Sequence, residues 1–158
     1  EAKNTLQTEY STEVAILPGV RELLSQLKDD GFAIAIATMG AGDVARRVLS
    51  HNQIDDYFSV VLTVDDVTKP KPDPEILLMA AEKLNVEISR SLYVGDSSHD
   101  LGSAEAAGMP FVLADTGLFV DGTRRIDLRN DAQSKKYPVV TISELETIAD
   151  IAKGYQSS

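Results

Sequence analysis

The sequence predicts an α/β fold built on a parallel sheet. Two observations carry this. Short, almost unbroken apolar runs recur at 32–37 (FAIAIA), 59–64 (SVVLTV), 91–95 (SLYVG) and 110–115 (PFVLAD). Runs of that length between turn residues suit strands covered on both faces. Segments with apolar residues at helical spacing lie between them, and such alternation makes neighbouring strands parallel.

The elements follow in order. Val20, Leu23, Leu24 and Leu27 fall on one helix face, with Pro18 suited to the entry and Gly31 to the exit. After the 32–37 strand comes the small-residue loop TMGAG, and Asp43 is expected to cap a helix ending near His51. The 59–64 strand leads into a loop, DDVTKPKPDP, where Asp73 and Pro74 suit the N-cap and first position of the helix EILLMAAEKLN. The 91–95 strand precedes a short helix with Gly108 at its exit, then the 110–115 strand. Residues 116–137 are polar and read as irregular. Residues 138–142 read as an edge strand, because Pro138 cannot donate to a ladder. Ile142, Leu145, Ile148, Ala149 and Ala152 mark a last amphipathic helix, and 155–158 read as a frayed tail. Residues 1–16 stand outside the alternation, as a helix tail and linker, so the core domain is expected over 17–154.

The 158 residues suffice for one domain with a sizeable core. The formal net charge of −10 argues against nucleic-acid or acidic-membrane partners and suits metal cations. With no cysteine there is no disulfide, thiol nucleophile or thiolate metal site; a reducing, cytoplasmic setting fits.

In a parallel α/β sheet functional groups gather beyond the carboxyl ends of the strands. There the sequence places Thr38, then Asp65, Asp66, Lys69 and Lys71, then Asp96 and Asp100, then Asp115. The Thr38 hydroxyl and the N–H groups of Met39, Gly40, Ala41 and Gly42 could cradle phosphate oxygens, or Thr38 could simply bond its own turn. A lysine on the proline-stiffened KPKPDP segment is a well-aimed cation, or a solvated linker residue. Asp96 and Asp100 supply hard oxygen ligands for Mg²⁺, or else cap the helix that follows. Asp65, Asp66 and Asp115 read as loop polar residues.

Taken together and in order, IAIATMG, KPDPEILLMAAEKLNV and YVGDSSHDLGSAEAAGM resemble the motifs of the haloacid dehalogenase (HAD) superfamily, in its phosphoglycolate phosphatase-like branch with a helical cap. The resemblance runs from Pro18 to about Thr116. It implies a Rossmann-like three-layer core and an Mg²⁺-dependent phosphatase acting on a small phosphorylated metabolite through an aspartyl-phosphate. It assigns phosphate binding to Thr38, Met39 and Gly40, charge neutralisation to Lys71 rather than Lys69, and Mg²⁺ to Asp96 and Asp100. The family's opening D-x-D motif, which carries the nucleophile, has no counterpart in these residues. The expectation is therefore that nucleophile strand and cap lie outside this chain, that 1–16 are the end of the cap, and that the chain alone is inactive. A non-catalytic phosphate- or Mg²⁺-binding relative, a pyrophosphatase or a phosphomutase would share the same motifs. A response-regulator receiver would order them differently, with acids first and lysine last.

Overall fold

The structure, a computed structural model, describes residues 14–116 and 122–156. The expectation for 1–13 lies outside the described residues. Helix α1 (Val20–Asp29) leads into strand β1 (Ala35–Ala37), helix α2 (Gly42–His51) and strand β2 (Val60–Leu62). Helix α3 (Glu75–Leu84), strand β3 (Tyr93–Gly95), helix α4 (Ser98–Ala107) and strand β4 (Phe111–Asp115) follow. Helix α5 (Gly122–Ser134), strand β5 (Val139–Thr141) and helix α6 (Thr147–Gln156) complete the chain.

All pairing is parallel, but it forms two ladders. β1 pairs with β2, Ala35 opposite Val60; β3, β4 and β5 form a second ladder, with Tyr93 opposite Phe111 and Leu113 opposite Val139. Side chains alternate across the strands and so build two helical layers. Phe111 and Leu113 point to a core made with Ile76, Leu77 and Leu101 of α3 and α4 and Leu128 of α5. Val112, between them, points the other way, to Leu145 and Ile148. On that second face Leu24 of α1 and Leu49 of α2 cover Ile34 and Ile36. Helices on both faces of a parallel sheet are the architecture the alternation predicts.

Four expectations change. Residues 116–137 are not irregular throughout, since α5 occupies 122–134. Its buried residues are Leu128 and Ala132, one turn apart, and Arg125 and Arg129 anchor it to Asp115. Asp43 does not cap α2; it sits inside the first turn, facing Arg47, and Ala41 is the N-cap. Pro74 takes the N-cap position of α3, one residue later than expected, while the Asp73 carboxylate accepts from the Glu75 N–H. α6 runs on to Gln156, whose side-chain amide donates to the Asp30 carbonyl. Among the described residues no helix is long and apolar enough to cross a membrane.

Candidate active site at the carboxyl edge

The end of β1 brings in Ala37 and Thr38. Thr38 continues the ladder through its N–H to Leu62 O, and its hydroxyl accepts from the Gly40 N–H at 3.1 Å. The TMGAG loop is therefore a closed turn, and the Thr38 hydroxyl keeps its own proton for another acceptor. Met39 turns inward: its side chain packs on the core and its sulfur accepts from the Lys71 N–H.

The loop after β2 is pinned at several points. Asp66 accepts from the N–H and hydroxyl of buried Thr63, while Asp65 accepts from the Gly42 N–H. Both carboxylates are thus engaged in holding loops. Glu75 reaches back to accept from the N–H groups of Thr68 and Lys69, and the buried Ser103 hydroxyl donates to Asp73 O. These bonds hold the segment that carries Lys71 into the protein.

Lys71 is the centre of the edge. Its Nζ donates to Ala37 O at 2.8 Å, to Tyr93 Oη at 2.6 Å and to Asp100 Oδ1 at 2.8 Å, which uses all three of its protons. The ion pair is buried, with side chains only 7 % and 10 % exposed for Lys71 and Asp100. Tyr93 hands its own proton to Asp100 Oδ1 at 2.6 Å. The other oxygen, Oδ2, accepts from Asp96 N–H, Ser97 N–H and the Ser97 hydroxyl. Ser97 in turn caps α4 by accepting from Asp100 N–H. Asp100 therefore belongs to the capping box of α4 through one oxygen and to the buried pair with Lys71 through the other.

Burial by itself would raise the carboxyl pKa of Asp100, but Lys71, Tyr93 and Ser97 outweigh it and hold the group below its ordinary range. Asp96 goes the other way: burial, then the neighbouring Asp100 charge, push it up. Burial and Asp100 also push the Tyr93 phenol up, so it stays a proton donor. Gly95 directly precedes Asp96 and packs against Asp100, where nothing larger fits. A Cβ there would stand 2.4 Å from Asp100 Cβ.

The structure therefore brings Thr38, Lys71, Asp96 and Asp100 to one edge, Lys71 joining the ends of β1 and β3. It sets Asp65 and Asp66 to structural bonds. Asp115 is not a loop residue; it ends β4, buried, and accepts from Arg125 and Arg129. Tyr93 and Glu75 were not singled out from the sequence. The signal for Tyr93 was a hydroxyl-bearing aromatic two positions before Gly95, hence on the same strand face. For Glu75 it was a carboxylate in the first turn of a helix next to open loop amides. Among the described residues no group of three or more acids or histidines is arranged to hold a metal. Asp96 is the carboxylate suited to a hard cation, which is consistent with Mg²⁺ sites that take one or two carboxylates and complete the shell with water and phosphate.

Fold and edge together define a Rossmann-like α/β protein with its polar groups at the carboxyl ends of parallel strands. The chain belongs to the haloacid dehalogenase-like hydrolase family, whose model matches residues 1–114. It is 36 % identical over 108 residues to pyrophosphatase PpaX of Bacillus velezensis, covering 68 % of this chain and 47 % of that protein. It is equally 36 % identical over 108 residues to phosphoglycolate phosphatase of Escherichia coli, covering 65 % of this chain and 43 % of that one. A solved HAD-superfamily hydrolase of subfamily IA from Geobacter sulfurreducens superposes with a TM-score of 0.71 at 31 % identity, over 90 % of this chain and 64 % of that chain. The chain spans less than half the length of these two curated relatives.

Proposed function

We propose that this chain carries the phosphate- and cation-binding half of an Mg²⁺-dependent phosphatase for a small phosphomonoester of the phosphoglycolate kind. The observation that carries the reading is Lys71: a buried ammonium fixed between Ala37 O, beside Thr38, and Asp100, beside Asp96. In this reading the Thr38 hydroxyl donates to a phosphate oxygen. Lys71 offsets negative charge on phosphate and nucleophile throughout the reaction, already aimed because Tyr93 and Asp100 hold it. Asp96 is the cation ligand. Asp100 acts by positioning Lys71, since both its oxygens are occupied. Bound Mg²⁺ would supply charge neutralisation to the phosphoryl oxygens.

The nucleophile is an aspartate outside these residues. Its carboxylate oxygen bonds to phosphorus as the bond to the leaving oxygen breaks, a second acid gives that oxygen its proton, and water then cleaves the acyl-phosphate. The acidic net charge is consistent with a small metabolite rather than nucleic acid or an acidic membrane, and a cytoplasmic setting belongs to the same reading.

Phosphate release from phosphoglycolate with Mg²⁺ tests this, on the protein purified from its source and on these 158 residues alone. The purified protein is expected to turn over and the 158 residues are not. A purified protein that binds phosphate and Mg²⁺ without turnover would replace the reading with a binding module.

A further inference from the structure

Lys71, Tyr93 and Asp100 form a closed triangle, and one of its sides is redundant. Lys71 Nζ lies 2.8 Å from Asp100 Oδ1 and 2.6 Å from Tyr93 Oη, and Tyr93 Oη lies 2.6 Å from the same Oδ1. The tyrosine hydroxyl proton is committed to Asp100, so towards the lysine Tyr93 is an acceptor only. Its ring is fixed as well. Phe111 packs against it at 5.9 Å between centroids, and Tyr137 meets Phe111 edge-on. Thr38, Lys71, Tyr93, Asp96 and Asp100 all line one cavity of about 760 Å³, so Thr38 and the lysine face a common space.

With all three protons in use, Nζ has none for a ligand unless one bond is exchanged. The three bonds are not equal. Giving up Asp100 separates a buried ion pair and strands a carboxylate at 10 % exposure. Giving up Ala37 O releases a backbone carbonyl that does not pair with β2: Ile34 and Thr38 make bonds to β2 or its flanks, and Ala37 falls out of step with them. Giving up Tyr93 Oη costs least, because Lys71 stays paired with Asp100 and the tyrosine keeps its own bond to Oδ1.

We propose that Tyr93 is a positioning residue with an exchangeable bond: it holds the third proton of Lys71 until an anion binds, and a phosphate oxygen then takes its place on Nζ. The proposal rests on the reading of Thr38 and Lys71 as the phosphate site and adds to it which bond opens. No proton changes hands. Nζ stays an ammonium, the Lys71 backbone stays on Met39 through its N–H, and one side-chain N–H moves from a neutral oxygen to a charged one. Tyr93 thereby aims the ammonium without competing for it as a second carboxylate would.

The probe is inorganic phosphate with Mg²⁺, titrated into the 158-residue chain with its tyrosines isotope-labelled at Cζ for NMR. The Cζ resonance reports the hydrogen bonds at each hydroxyl, and Tyr93→Phe identifies that of Tyr93 by its loss. Phosphate is expected to shift this resonance to saturation, in the direction in which Lys71→Met shifts it without phosphate. In calorimetry Lys71→Met is expected to abolish phosphate binding. Tyr93→Phe keeps the ring and its packing and releases one lysine N–H, so it is expected to tighten phosphate binding about two- to tenfold, the effect of one exchanged hydrogen bond. A merely structural tyrosine predicts otherwise: weaker or unchanged binding by Tyr93→Phe, or a Tyr93 resonance that stays in place while phosphate binds through Lys71. Either result overturns the proposal and leaves the phosphate reading standing. Phosphate that does not bind, or that binds Lys71→Met equally well, overturns both.

Discussion

Replacing Lys71 by methionine removes the ammonium but keeps most of the apolar stem, so the loss is electrostatic rather than a cavity. Asp100 then stays buried, at 10 % side-chain exposure, without its counter-ion. Breaking a buried pair by deleting one partner costs about 3–5 kcal/mol. Asp100 keeps the Tyr93 hydroxyl and three donors from Asp96 and Ser97, which places the cost at the lower end, about 3 kcal/mol. That is a large share of a total stability of about 5–15 kcal/mol. It corresponds to a fall in Tm of about 6–12 °C for a chain of this size. Urea unfolding at pH 7 measures it directly. The sign with pH follows from Asp100. In the native protein its pKa is lowered, so its contribution is present above the unfolded carboxyl value of about 3.9 and is lost as pH falls through the folded value. In the variant the pKa rises, so the unpaired charge is relieved on acidification. The gap between the two proteins should therefore be widest near pH 7 and close towards pH 4. Adding Asp100→Asn should recover much of the loss. A Lys71→Met cost under about 1 kcal/mol, or one independent of pH, would refute the reasoning.

Three further outcomes are expected. Gly95→Ala drives a Cβ into Asp100 and should cost about 1–3 kcal/mol in chemical denaturation, more than Gly42→Ala, where the closest atom is the movable end of Arg46. Ser97→Ala removes the α4 cap and one Asp100 donor, for a loss of about 1 kcal/mol in the same assay. Asp96→Asn removes a charge that burial and Asp100 already disfavour, so stability without metal should hold or rise slightly, while any Mg²⁺-induced gain in Tm disappears.

The order of elements was legible because buried parallel strands write themselves as apolar runs and their helices as a 3.6-residue rhythm. Thr38, Lys71 and the pair Asp96 and Asp100 could be placed at one edge from the sequence because each of the three follows a different strand. The strands proved shorter than their runs: residues 32–34 are as apolar as 35–37, but pairing begins only where Ala35 meets Val60. α5 was illegible because Leu128 and Ala132 are its only buried residues and arginines do the rest of the anchoring, which no apolar rhythm can reveal. The double duty of Asp100 was equally hidden. Spacing shows that a carboxylate follows Ser97 by three residues, but not that Tyr93 and Lys71 converge on its other oxygen.

The most direct measurement is the location of the phosphoryl group during turnover. The protein purified from its source is mixed with labelled phosphoglycolate and Mg²⁺, quenched, and digested for mass spectrometry. An acyl-phosphate on an aspartate outside these 158 residues, lost when Lys71 is replaced by methionine, is the expected result. Phosphate on a residue within the chain, or turnover with no covalent phosphate at all, would contradict it.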